Sequence, residues 1–148
     1  MSKSIDAKKL FEEGYNCAQA VVAAFCDELN ISKEDALKMA SSFGGGMGRM
    51  REVCGAVSGM FMVAGFKEGY ADPQDSQAKK EHYELIQKMA AEFSKENGSI
   101  ICRELLGLEK DKENSPVPSA RSKEYYKKRP CAELVALAAE IAERNLKK

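Results

Sequence analysis

The chain has 148 residues, 44% hydrophobic and 31% charged, with equal numbers of acidic and basic side chains. That length suits one domain with its own core, and a net charge of zero offers no basic footprint for nucleic acid. No apolar run is long enough to span a bilayer, and the N-terminal lysine-bearing stretch lacks the apolar centre of a signal peptide, so a cytoplasmic protein with no membrane partner is expected.

Taken in order, the chain reads as helices separated by small punctuating residues. Asp6 to Glu13 carries Leu10 and Phe11 before Gly14 interrupts. Asn16 has the character of an N-cap, with Gln19 three residues on to close a capping box. A helix from Cys17 to about Leu29 follows, with Cys17 and Cys26 on opposite sides at about 100° per residue. Ser32 and Asp35 start a helix over Lys33 to Phe43, and the glycines from Gly44 to Gly48 end it. Val53 to Phe66 is almost wholly small or apolar, and Gly55 and Gly59 share one helix face that would admit a close partner. Gly69, Asp72 and Pro73 mark a turn. Gln74 to Asn97 is the longest helical pattern, with Tyr83, Ile86, Met89, Ala90 and Phe93 as its stripe, and Gly98 stops it. Ser99 can cap a short helix over Ile100 to Leu106. Residues 109–130 are polar and contain Pro116 and Pro118, so a long loop is expected there. Pro130 suits the opening of a last helix, Cys131 to about Leu146. No alternating strand pattern appears. The fold class is all-α, a single-domain bundle over 1–148 with about five main helices plus a short one.

Five cysteines, odd in number and widely spaced, do not form a secreted disulfide framework. No CxxC occurs, and His82 is the only histidine, so Cys/His zinc spacing is absent. Position is more informative than spacing. Cys17, Cys102 and Cys131 fall in or near first helical turns, and Cys54 is close to one. The orphan N–H groups and the macrodipole there favour negative charge, hence a thiolate. Cys26, placed mid-helix, has no such help. The plainer alternative is that cysteines of this kind simply pack.

The triple glycine followed by Met47-Gly48 lets the main chain approach something closely or adopt positive φ. It fits neither a P-loop nor G-x-G-x-x-G. Gly44, Gly45, Gly46 and Gly48 are the positions where backbone would meet a cofactor; otherwise they make a tight connection beside the cysteines. Arg49, Arg51 and Arg103 lie near Cys54 or Cys102 in sequence. They would stabilise thiolates, or be solvated or paired with Glu52 and Glu104.

These residues resemble the C-GCAxxG-C-C family of redox-active proteins. The resemblance rests on Cys17 in Asn-Cys-Ala-Gln-Ala, Cys54 in Cys-Gly-Ala-Val-Ser-Gly, Cys102 in Ile-Cys-Arg-Glu-Leu, Cys131 in Arg-Pro-Cys-Ala, and the Gly44 to Gly48 run. It spans nearly the whole chain and leaves Cys26 outside. It implies a redox-active domain with Cys17, Cys54, Cys102 and Cys131 at one site. The split-Soret cytochromes resemble this domain too, but their haem-binding sequence is absent here. That relationship raises a Cys-bound metal centre as an alternative.

Three functions are therefore expected in order. The first is dithiol/disulfide chemistry in a thiol-dependent oxidoreductase, with Cys54 the candidate nucleophile because its flanking glycines would leave it open. The second is a metal site, with Cys17, Cys54, Cys102 and Cys131 holding an iron–sulfur cluster or zinc. The third is a helical interaction module whose cysteines only pack. The expected partner is a redox protein or small-molecule substrate, and the apolar helix after Cys54 would serve a homodimer as well as a monomer core.

Overall fold

The computed structural model describes residues 2–107 and 130–147. Among them the regular structure is helical, with no strand beyond one isolated pair of bridged residues, Val53 and Ile101. The helices are α1 (Lys3–Glu12), α2 (Cys17–Ala24), α3 (Cys26–Leu29), α4 (Lys33–Ala40), α5 (Gly55–Glu68), α6 (Ser76–Asn97), α7 (Cys102–Leu106) and α8 (Cys131–Asn145). A 3₁₀ turn, Ser41–Phe43, follows α4. The loop expected over 109–130 lies outside the described residues except for Pro130, which caps α8. No helix among the described residues is long and apolar enough to cross a membrane.

The α2 helix is the centre of the bundle. Its sequence is almost all alanine and valine, and Ala18, Ala20, Val21, Val22, Ala23 and Ala24 are all buried, as expected of a helix apolar on every side. Around it pack α1, α4, α5 and α8, while α6 lies outside against α5 and α8. The α2–α5 approach is close because α5 presents glycine. A Cβ at Gly59 would stand 3.0 Å from the Ala18 carbonyl oxygen and from Val21 Cβ.

Local chemistry sets the helix starts. Asn16 Oδ1 accepts from Gln19 N–H at 2.8 Å, and Gln19 Oε1 accepts from Asn16 N–H at 3.1 Å, completing the capping box of α2. Ser32 caps α4 through Asp35 N–H at 3.0 Å, and Asp75 caps α6 through Ala78 N–H at 3.0 Å. Gly98 takes the left-handed conformation that ends α6.

Several sequence boundaries need correction: α1 starts at Lys3 rather than Asp6, and α7 at Cys102 rather than Ile100, with Ile101 and not Ser99 at its N-cap. The helix expected to run unbroken from Cys17 to about Leu29 breaks at Phe25, whose N–H turns back to the Val22 carbonyl. Cys26 therefore opens a short helix of its own rather than lying mid-helix. No glycine or proline marks this break; it lets Phe25 and Leu29 both enter the core. The helix expected from Val53 begins at Gly55, because Val53 is drawn into the backbone bridge with Ile101.

Candidate functional site

Four helices begin around one point, and each brings a cysteine. Cys17, Cys102 and Cys131 are the first residues of α2, α7 and α8, and Cys54 is the N-cap of α5. Cys131 is the strongest electrostatic neighbour of the Cys17 thiol, and Cys17 is also close enough to Cys54 and Cys102 to feel their charge. Cys54 in turn is near enough to Cys102 and Cys131 to feel their charge. The structure thus brings together all four cysteines singled out in the sequence. Cys26 lies apart, beside Asp27.

The backbone explains how residues so far apart in sequence meet. Around the Val53–Ile101 pair, Cys54 N–H donates to the Ile100 carbonyl at 2.7 Å and Cys102 N–H to the Glu52 carbonyl at 2.6 Å. Each cysteine is thereby clamped at the end of its extended segment, just where its helix starts. Gly55 fits against Cys17: a Cβ there would stand 3.1 Å from Cys17 Cβ and 2.9 Å from the Phe43 carbonyl oxygen.

The glycine run is a left-handed turn. Gly45, Gly46, Met47, Gly48 and Arg49 all have φ between +61° and +72°, and Arg51 returns to +62°. Glycine adopts this conformation freely, whereas each non-glycine residue there costs roughly 1–2 kcal/mol. Met47, Arg49 and Arg51 are thus held in a strained form. The turn is tied by Glu52 N–H to the Gly46 carbonyl at 2.9 Å and Arg49 N–H to the Gly44 carbonyl at 3.2 Å. It rests directly on the site. A Cβ at Gly46 would stand 2.6 Å from Cys102 Cβ, and one at Gly44 would run into the Asn16 side chain. Of the glycines expected to meet a cofactor, Gly44 and Gly46 therefore have protein neighbours that explain them.

The electrostatics depart from the simple helix-start picture. The Cys17 thiol titrates well above its usual range, first because its hydrogen bond to Cys131 holds the proton, then because of burial and the nearby sulfurs. Burial pushes Cys54 up to about 12; the N–H groups of Ala56 and Val57 pull the other way but do not compensate. Cys54 is 4% exposed, so the open surroundings expected from its glycines are not found: the glycines admit protein instead. Cys102 and Cys131 are each 7% exposed, and Cys17 is partly buried.

Arg51 was legible in the sequence only as a basic residue near Cys54, with no sign of burial. It is 3% exposed, and its Nη1 donates to Cys102 Sγ at 3.8 Å. A left-handed arginine has no sequence signature beyond the glycines before it.

No disulfide joins the five cysteines. Among the described residues, no three His, Cys, Asp or Glu side chains stand in an arrangement that would hold a metal ion.

An all-helical domain that gathers four thiols at its helix starts defines a class of cysteine-centred proteins. The chain belongs to the C_GCAxxG_C_C family, described as "Putative redox-active protein", which matches residues 15–145. It is also 30% identical over 146 residues to an uncharacterized protein of Archaeoglobus fulgidus, covering 94% of this chain and 89% of that one. No solved structure gives a significant match.

Proposed function

We propose that this protein is a thiol-dependent oxidoreductase acting by dithiol/disulfide exchange. The observation that carries this reading is the gathering of four cysteines at adjoining helix starts, with Cys131 the strongest neighbour of Cys17. Two neighbouring thiols can bond to each other, and the other thiols of the group supply partners for exchange. The reaction is balanced with a disulfide substrate, RS–SR. Two protein thiols lose two electrons and two protons and join; the substrate S–S bond breaks and two RSH leave. The partner is then a small molecule or protein bearing a disulfide, or its reduced form in the reverse direction.

The raised Cys17 and Cys54 thiols keep their protons at neutral pH, so their own attack on a disulfide is slow unless a proton leaves in the same step. Purification without oxygen, followed by titration with a disulfide reagent, tests the reading. Thiol counting, metal analysis, visible absorption and peptide mapping are made on the same sample. The expected result is reversible loss of two thiols and a Cys17–Cys131 bridge. Stoichiometric iron with charge-transfer absorption that disappears in Cys54→Ser would replace this reading with a metal centre. Thiols that never pair would leave only packing.

A further inference from the structure

The buried arginine at the site has no part in the chemistry above. It is placed with more care than packing requires. Arg51 N–H donates to the Gly45 carbonyl at 3.3 Å, and the Arg51 carbonyl accepts from Arg103 N–H at 3.2 Å. One residue on, the Glu52 carbonyl accepts from Cys102 N–H. Gly46 packs so closely on Cys102 that a Cβ there would stand 2.6 Å from Cys102 Cβ, so the turn and Cys102 are in direct register. The left-handed backbone at Met47, Arg49 and Arg51 is the conformation that this delivery uses. A guanidinium remains charged at every pH a protein survives. A fixed cation donating a hydrogen bond to sulfur favours thiolate over thiol. Near Cys102, Arg51 from the turn is cationic, whereas Cys17 from α2, held protonated first by Cys131, and Cys54 from the α5 start, held protonated by burial, are thiols that keep their protons.

We propose that Arg51 is the positioning residue that makes Cys102 the attacking sulfur of the cluster, with a disulfide as its substrate. This rests on the dithiol reading given above. The Cys102 thiolate attacks one sulfur of RS–SR; that S–S bond breaks, and RS⁻ leaves to take a proton. Cys17 then gives up its proton and attacks the Cys102 sulfur, and the second RSH departs. Attack by Cys131 on the Cys17 sulfur frees Cys102 and leaves the Cys17–Cys131 disulfide. Two electrons and two protons have passed from Cys17 and Cys131 to the substrate, and Cys102 ends as it began.

The test uses the reduced full-length chain and dithiodipyridine, a neutral disulfide that does not respond to the arginine charge. Acid quenching and peptide mapping identify the first cysteine to carry the adduct. Cys102 is expected first. Arg51→Met is expected to slow it about threefold or more, the net of a falling thiolate fraction and a rising nucleophilicity. Arg51→Lys restores part of the rate. The pH midpoint of Cys102 alkylation by iodoacetamide rises in Arg51→Met and returns part-way in Arg51→Lys, whereas Cys26, outside the cluster, is unchanged in all three. If Arg51→Met does not fold, Cys102→Ser gives the answer: it must slow Cys17–Cys131 closure by dithiodipyridine. A first adduct on another cysteine of the cluster, an Arg51→Met rate equal to the parent, or a Cys102→Ser rate equal to the parent overturns the assignment. If pairs of thiols close without any preference for Cys102, only this assignment fails. If no pair closes at all, the dithiol reading fails with it.

Discussion

Cys54 and Cys102 sit on the two sides of one backbone bridge, yet their surroundings differ in kind. Cys54 caps α5, a long helix, and receives the influence of the Ala56 and Val57 N–H groups. Cys102 opens α7, five residues long, whose dipole is correspondingly slight. On helix position alone Cys54 has the better claim to a thiolate. Burial reverses the order for Cys54, and a full charge at hydrogen-bond distance decides for Cys102. Partial charges from a helix end are worth a fraction of a kcal/mol to about 2, less than the desolvation of a buried anion. Cys26 adds the complementary case: it also opens a helical turn, but no other cysteine is brought to it.

The largest way to break this contrast is to push the turn off Cys102. Gly46→Ala places a Cβ against Cys102 Cβ, Arg51 Cα and Glu52 N, on backbone with φ +72°. Strain and overpacking together are expected to cost about 3 kcal/mol. Gly98→Ala, at φ +84° with nothing within 4 Å, is expected to cost only about 1 kcal/mol. Urea unfolding of both variants checks the difference; equal losses would show that the turn does not bear on Cys102.

Alkaline titration probes the Cys54 side. Cys17 and Cys54 are acids that keep their protons longer folded than unfolded. An unfolded thiol ionises near about 8.5, so above that pH the unfolded chain binds fewer protons than the folded one. Their contribution to stability is complete below that value and is lost as pH rises toward the Cys54 value of about 12. Urea midpoints between about pH 7 and about pH 10 are expected to fall, and Cys54→Ala to flatten the slope. A midpoint that rises with pH would contradict the burial account.

The smallest effect concerns the Cys17 start. Asn16→Ala removes a cap and is expected to cost about 1 kcal/mol, as is Ser32→Ala at α4. Asn16 should cost a few tenths more, since its Nδ2 also donates to the Ser41 carbonyl at 3.2 Å. Thermal melts of the two variants side by side make the comparison, and a larger loss at Ser32 would count against a special role for the Asn16 cap.

How much of this was legible follows from the range of each interaction. Asn16 with Gln19, Ser32 with Asp35, and Gly98 are decided by residues a few places apart, and the sequence read them as helix ends. The four cysteines were readable as helix-start residues for the same reason, and their common motif pointed to one site. The bridge between Val53 and Ile101 depends on two distant segments and left no alternation to detect. The break at Phe25 comes from packing, with no breaker residue. Arg51 is buried by a turn whose glycines were visible but whose handedness continues through Met47 and Arg49, residue types that rarely adopt it.

The bridge that clamps Cys54 and Cys102 also fixes when in folding the thiols can meet. Capped helices such as α2 form from neighbours, whereas closing Val53 onto Ile101 requires most of the intervening chain, including α5 and α6, to be in place. Bringing Cys131 to Cys17 requires nearly the whole sequence. A nascent or unfolded chain therefore holds five thiols with no preferred partner, and oxidant met at that stage would trap mismatched pairs. Refolding yield should depend on keeping the chain reduced until its helices have docked, so that the meeting of the four thiols is a product of folding and not a guide to it.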